Sequence, residues 1–304
     1  MDTVKNISII FTSIFFESLP FLFLGALISS IIETYVSNET IAKIIPKNKV
    51  LGSIVGVFLG FFLPACDCAV IPVSKRLLKK KVPINVAISF MLASPIINPV
   101  VLLSTYYAFY KTNPEIFWYR LLFGILISLL IGIIMGIVFG DKEVITNNMD
   151  DEHNESCHCH ECEHYHKHSA KNDILSICKH TAYDLFEVVK YLMFGALIAS
   201  FTQVLLPRNI LIMFNNNQAL SIIVLMMFAY LISLCSTSDS FVGRSLLSTF
   251  GKSSIMAYLL LGPMIDIKNT IVLLGNYKKS FVITLITLIF VIIFICSLMV
   301  VRIL

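Results

Sequence analysis

Ten apolar segments fill most of this 304-residue chain, in two sets of five on either side of one polar strap. The first set is Ile7–Val36, Val50–Pro64, Val82–Ser94, Ile96–Tyr110 and Ile116–Gly140. The second is Ala182–Leu206, Ala219–Leu234, Ser253–Leu261, Met264–Leu274 and Ser280–Leu304. A crossing helix needs about 20 mostly apolar residues to span about 30 Å of hydrocarbon. Inside a bilayer only helices and closed barrels satisfy their own backbone hydrogen bonds. The expected fold is therefore an all-α polytopic membrane protein, with a first membrane unit at 1–140, a polar linker at 141–180 and a second unit at 181–304. Composition agrees. The chain is 57% hydrophobic and 14% charged, against roughly 45–50% and about 25% for soluble domains. A net charge of +4 with no basic domain excludes a nucleic-acid partner and leaves membrane lipid as the surroundings. The first apolar run is too long for a signal peptide and reads as a permanent span.

The two units look like copies. Phe16-Glu17-Ser18-Leu19-Pro20-Phe21-Leu22-Phe23-Leu24-Gly25-Ala26-Leu27-Ile28-Ser29-Ser30 aligns with the fifteen residues from Phe186 to Ser200, and eight positions are identical, including Glu17 with Glu187. Cys66-Asp67-Cys68 corresponds roughly to Cys235-Ser236-Thr237-Ser238-Asp239, and Pro95-Ile96-Ile97-Asn98 to Pro263-Met264-Ile265-Asp266. Duplicated membrane helices are a transporter signature. An odd number of crossings per copy, whether five or three plus a re-entrant hairpin, would invert the second copy. Four would leave the copies parallel.

The segments around Pro95 and Pro263 are short for spans, and proline breaks the helical ladder. Broken helices at matching places in two repeats point to a substrate path. Ser94, Pro95, Asn98, Pro263 and Asp266 are candidates on that ground, beside the reading that they are ordinary interhelical turns. Cys66 and Cys68 flank Asp67 where an apolar segment ends, and Cys thiolates suit soft metals and metalloids. In extended backbone both sulfurs face one way; in a helix they diverge. Cys235, Ser236 and Asp239 supply the matching thiol, hydroxyl and carboxylate. Buried cysteines also often do nothing but pack.

Intramembrane carboxylates cost about 2.5–3.5 kcal/mol on insertion scales. Glu17 and Glu187, and with them Asp67, Asp239 and Asp266 beside the breaks, are candidates for carrying a coupling proton, since burial raises a carboxyl pKa; Glu17 and Glu187 can instead snorkel or cap helices at the interface. Arg244 and Lys268 follow Asp239 and Asp266 closely enough to pair with them.

The strap holds Cys157, His158, Cys159, His160, Cys162, His164, His166 and His168. This is a compositional Cys/His tract without zinc-finger spacing. It suits zinc or copper, while transport itself requires no cofactor. Lys75, Arg76, Lys79, Lys80 and Lys81 place their turn in the cytoplasm by the positive-inside rule. That also places the N-terminus inside; odd repeats then put the strap outside, and four-span repeats put it inside. No Gly-x-x-x-x-Gly-Lys-Ser/Thr loop, Gly-x-Ser-x-Gly or His-Glu-x-x-His occurs, so neither ATP drive by this chain nor a hydrolase is expected.

Pro64-Ala65-Cys66-Asp67-Cys68-Ala69-Val70-Ile71-Pro72-Val73, the basic turn, and Ala93-Ser94-Pro95-Ile96-Ile97-Asn98-Pro99 resemble the predicted-permease family that includes YraQ and the organoarsenical exporter ArsP. Leu234–Phe241 and Gly262–Asp266 fit the same family, which also often has a Cys/His-rich central loop. The resemblance implies efflux across the cytoplasmic membrane, of trivalent organoarsenicals in ArsP-type members. The chain thus reads as a multi-pass, non-enzymatic, secondary-active permease for a small thiophilic solute. The alternatives are a divalent metal carrier with the strap as collector, and a membrane thiol oxidoreductase using Cys66 and Cys68.

Overall fold

The computed structural model describes residues 2–35, 46, 48–62, 67–140, 142–146, 170–205 and 217–303. Cys66 and the Cys157–His168 tract lie outside the described residues, as does the Glu187 side chain. The regular structure described is helical, apart from one isolated antiparallel bridge between Ile145 and Tyr277. The helices are α1 (Asp2–Tyr35), α2 (Lys49–Phe62), α3 (Asp67–Lys79), α4 (Ile84–Ile97), α5 (Pro99–Phe109) and α6 (Glu115–Val138), then α7 (Ala170–Leu205), α8 (Gln218–Ile232), α9 (Ser236–Leu246), α10 (Lys252–Met264), α11 (Ile267–Asn276) and α12 (Lys279–Ile303). Each of the ten apolar segments is helical over most of its described residues, and two more polar helices, α3 and α9, are added. The order of lengths repeats. The first six helices measure 34, 14, 13, 14, 11 and 24 residues, and the next six 36, 15, 11, 13, 10 and 25.

Among the described residues, six stretches are long and apolar enough to cross a membrane, three in each half. Two of them are broken: Ile84–Phe109 joins α4 to α5, and Lys252–Asn276 joins α10 to α11. These two are 78% and 83% buried over their most apolar stretch, against 17–39% for the other four. The broken spans pack on each other and form the core, and the unbroken ones present apolar side chains outward.

The breaks do not fall at Pro95 and Pro263, where the sequence reading placed them. Both prolines sit inside helices. The first break is at Asn98 (φ −54°, ψ 129°), because Pro99 pushes the residue before it out of the α region. In the second half no proline follows. Ile265 and Asp266 are extended there, and the Asp266 side chain accepts from the Asn269 amide at 2.6 Å, capping α11. Asn98 caps α5 in the same manner, accepting from the Val100 amide at 3.0 Å.

Two ridges of small residues hold α4. Gly52, Gly56 and Gly60 recur every four residues along α2. Gly124, Gly132 and Gly136 do similar work on α6. A Cβ at most of these positions would run into Asn85, Ser89, Ser94 or their neighbours on α4. Small residues at such spacing let membrane helices approach backbone to backbone.

Hydrogen bonds fix the faces on which the helices end. Lys49 Nζ donates to the Gly136 carbonyl (3.2 Å) and Asn85 Nδ2 to the Lys49 carbonyl (2.7 Å). The starts of α2 and α4 and the end of α6 therefore share one face. The strap begins there too. The Lys278 amide donates to the Val144 carbonyl (2.9 Å), and the Thr146 amide to the Asn276 carbonyl (3.1 Å). Lys75 Nζ reaches Asn276 Oδ1 at 3.1 Å, which brings the basic turn after α3 to the same face. On the opposite face Glu115 pairs with Lys252 (2.7 Å), and Ser221 bonds Ser254 (3.0 Å), joining the starts of α6, α8 and α10. Helices α1 and α7 run antiparallel, with Thr181 on Ser30 (2.9 Å) and Ile14 against Ala196 and Ala199. So α1, the first broken span and α6 each run opposite to α7, the second broken span and α12.

This corrects the expectation that strap and basic turn lie on opposite sides. Helix α2 starts on the strap face and α3 runs back to it, while α1 starts on the other face.

Candidate functional site

Helices α2 and α3 of the first half have their counterparts in α8 and α9 of the second, and the link between α8 and α9 is buried inside the molecule. Helix α8 stops at Ser233, whose backbone is left-handed (φ 52°, ψ 49°), a conformation that costs a non-glycine residue about 1–2 kcal/mol. Residues 233–235 are then unwound before α9 begins at Ser236. The carbonyls freed at the end of α8 are taken up by α7: Thr202 Oγ1 donates to Leu231 at 2.8 Å, and Gln203 Nε2 to Ile232. Non-helical backbone at membrane depth is tolerated only where it is buried in protein or lines a cavity. Here it does both.

The cavity is about 230 Å³. Helix α1 contributes Glu17 and Ser18 beside Ile9, Ile10, Ser13, Ile14 and Phe21. Asp67 and Cys68 come from the first turn of α3. The second half supplies Gln203, Ser233, Leu234, Cys235, Ser238 and Lys268. Thiols from both halves thus face one space. Cys68 Sγ lies 3.9 Å from Ser18 Oγ, and Cys235 Sγ 3.4 Å from Thr237 Oγ1.

A buried charge network floors the cavity. Lys268 Nζ is 3.5 Å from Asp67 Oδ2 and 3.6 Å from Asp266 Oδ2, and all three residues are buried. Asn269 Nδ2 donates to Asp67 Oδ2 at 3.1 Å, and the Lys268 amide to Ser233 Oγ at 3.4 Å. One ammonium between two carboxylates leaves the floor negative when all are ionised. Glu17, exposed on the cavity wall, adds to that sign. Such a space repels anions and suits a neutral or cationic electrophile, with thiols as its soft ligands.

Of the residues singled out from sequence, Glu17, Asp67, Cys68 and Cys235 line this cavity, and Asp266 braces its floor. Ser94 and Pro95 are buried inside α4, Pro263 lies inside α10, and Ser236 and Asp239 are buried on α9. Asn98 caps α5. None of these six lines the cavity. Lys268 pairs with Asp266 as its position suggested, but also with Asp67 of the other half. Arg244 Nη1 has no hydrogen-bond partner among the described residues. Among those residues no three His, Cys, Asp or Glu side chains converge as a metal site.

Sequence reasoning missed Arg120, which is fully buried on α6. Its signal was plain, since it is a lone arginine inside the otherwise apolar Ile116–Gly140. Intramembrane arginines are rare and tend to be functional.

A family described as "Predicted permease", ArsP_1, matches residues 3–302. A protein of Streptococcus mutans named "Putative two-component membrane permease complex subunit" is 38% identical over 273 residues, covering 90% of this chain and 87% of that protein. "UPF0718 protein YcgR" of Bacillus subtilis is 38% identical over 295 residues, 96% of this chain and 95% of its own. No solved structure matches. With its buried polar cavity between two sets of membrane helices, the chain is a multi-pass membrane protein and belongs to the ArsP_1 family of predicted permeases.

Proposed function

We propose that this chain is a secondary-active permease of the bacterial cell membrane that expels a thiophilic solute, such as a trivalent organoarsenical. The observation that carries the reading is the shared cavity. Cys68 from the first half and Cys235 from the second line the same 230 Å³ space, above a buried Asp67–Lys268–Asp266 network. A soft electrophile can exchange between two such thiols without a resident cofactor.

Among the described residues, six helices are followed by six of similar lengths, and corresponding spans run in opposite directions, which supports an inverted duplication. In such scaffolds the halves rock about a site at the repeat interface. The cation-rich face, with Lys75, Arg76, Lys79, Lys80, Lys81, Lys142, Lys278 and Lys279, is cytoplasmic in this reading. The start of α1 and the end of α12 then lie outside, and the strap, rooted at residues 142–146, lies in the cytoplasm. There its Cys/His tract meets a reducing compartment where thiols stay available to zinc or copper. The Streptococcus mutans relative's name supports a second subunit as a partner for this chain.

The test is resistance of cells carrying single variants. Cys68→Ser and Cys235→Ser each lower resistance to methylarsenite and leave zinc tolerance unchanged. Methylarsenite resistance equal to the parent in both variants refutes the reading. A loss of zinc tolerance instead moves the substrate to divalent metals.

A further inference from the structure

A second buried polar cluster lies outside the cavity lining, where α5 and α6 of the first half meet α9 and α10 of the second. Arg120 Nη1 donates to Thr105 Oγ1 (2.7 Å) and Ser240 Oγ (2.8 Å). Its Nε and Nη2 are buried and have no acceptor among the described residues. Asp239, next to Ser240, is also buried. Its Oδ1 accepts from the Tyr258 hydroxyl at 2.8 Å, and its Oδ2 has no donor among the described residues. Arg120 and Asp239 are within electrostatic range of each other but make no direct hydrogen bond. A buried guanidinium with two idle donors beside a buried carboxylate with an idle oxygen is an incomplete ion pair. Each group left partly unsatisfied costs free energy that a direct contact would recover.

The position of the pair gives it a use. Arg120 rides on the first half, while Asp239 and Tyr258 ride on the second, so any rocking of the halves changes their separation. Asp239 Oδ2 also abuts Gly262, where a Cβ would collide with it. Gly262 lies in the last turn of α10 before the break, so Asp239 is in contact with the part of the broken span best placed to move. Ser238, one residue earlier, lines the solute cavity.

We propose that Asp239 carries the proton that drives this permease, and that Arg120 is the positioning residue that expels it. This rests on reading the chain as a secondary-active permease. In one state the proton forms an O–H bond on Asp239 Oδ2, Tyr258 keeps Oδ1, and Arg120 rests on Thr105 and Ser240. In the other, Arg120 moves onto Oδ2, the O–H bond breaks, and the proton leaves to water. The arginine stays charged throughout. The charged and titratable groups acting on Asp239 are Arg120 on α6 and Tyr258 on α10, with Asp67 and Asp266 at longer range; Arg244 lies five residues further along its own helix. Helix α5 offers only the hydroxyls of Ser104 and Thr105 to Ser240.

Two measurements on the full-length protein test this. The first needs no solute: infrared difference spectra between acid and alkaline pH. A protonated-carboxyl carbonyl band present in the wild type disappears in Asp239→Asn and moves in Tyr258→Phe, which removes the donor to Oδ1. The same band persisting unchanged in Asp239→Asn overturns the proposal. The second uses proteoliposomes and methylarsenite. Asp239→Asn and Arg120→Gln lose accumulation driven by a pH gradient but keep solute exchange at equal concentrations. Wild-type gradient-driven accumulation in either variant overturns the proposal, as does loss of exchange together with accumulation in folded protein. If the wild type moves no methylarsenite in either mode, the proposed solute is wrong, while the infrared band still decides the role of Asp239.

Discussion

Lys268 illustrates how much one side chain can hold in this interior. It sits between two buried carboxylates, one from each half of the chain. Removing one member of a buried ionic network leaves an uncompensated charge and costs about 3–5 kcal/mol. Lys268→Met should therefore lower the thermal midpoint of the detergent-solubilised protein sharply, and adding Asp67→Asn should recover part of the loss. Equal midpoints for wild type and Lys268→Met would show that the network contributes nothing. Gly262→Ala tests a different contact, since its new methyl group meets Asp239 Oδ2. Overpacking of this kind costs about 1–3 kcal/mol, read as a fall in the same midpoint. A Gly262→Ala protein as stable as the parent would show that the carboxylate moves aside freely. The residue types at the cavity were legible in the sequence. Their partners were not, because Asp67 finds Lys268 and Asn269 across some two hundred positions, and no local pattern encodes that.

At the scale of elements, the broken spans set the design. Short apolar stretches interrupted by Pro95 and Pro263 correctly marked two discontinuous helices. The breaks themselves came later, because a proline inside a helix removes one donor yet leaves φ helical, whereas Pro99 acts on the residue before it. Pro99→Ala should let Asn98 turn helical and fuse α4 with α5. Hydrogen exchange at amides 98–102 then slows in Pro99→Ala and changes little in Pro95→Ala; the reverse order would return the break to Pro95. The helices α3 and α9 escaped notice for another reason. They mix polar, charged and apolar residues, as in Asp67-Cys68-Ala69-Val70-Ile71-Pro72-Val73-Ser74-Lys75, so hydropathy passes over them although much of each is buried against neighbouring helices. Because α3 was not seen, its return to the face on which α2 starts was not seen either, and with it the side of the strap relative to the basic turn.

Across the whole molecule, helix order, opposed directions and a cavity lined from both halves support the proposed passage. The strap is rooted at Val144–Thr146, on the face of the basic turn, away from the cavity lining. Deleting residues 153–168 should leave methylarsenite efflux from cells near the parental rate while abolishing zinc or copper binding by the purified protein. Efflux lost with the deletion would make the strap part of the passage. The central claim is that one solute touches both halves at once, and thiol protection tests it most directly. In a chain whose only remaining cysteines are Cys68 and Cys235, maleimide labelling is measured with and without methylarsenite. The account predicts that methylarsenite shields both thiols together, over the same concentration range. Labelling of either thiol that proceeds unchanged in its presence would contradict a shared site.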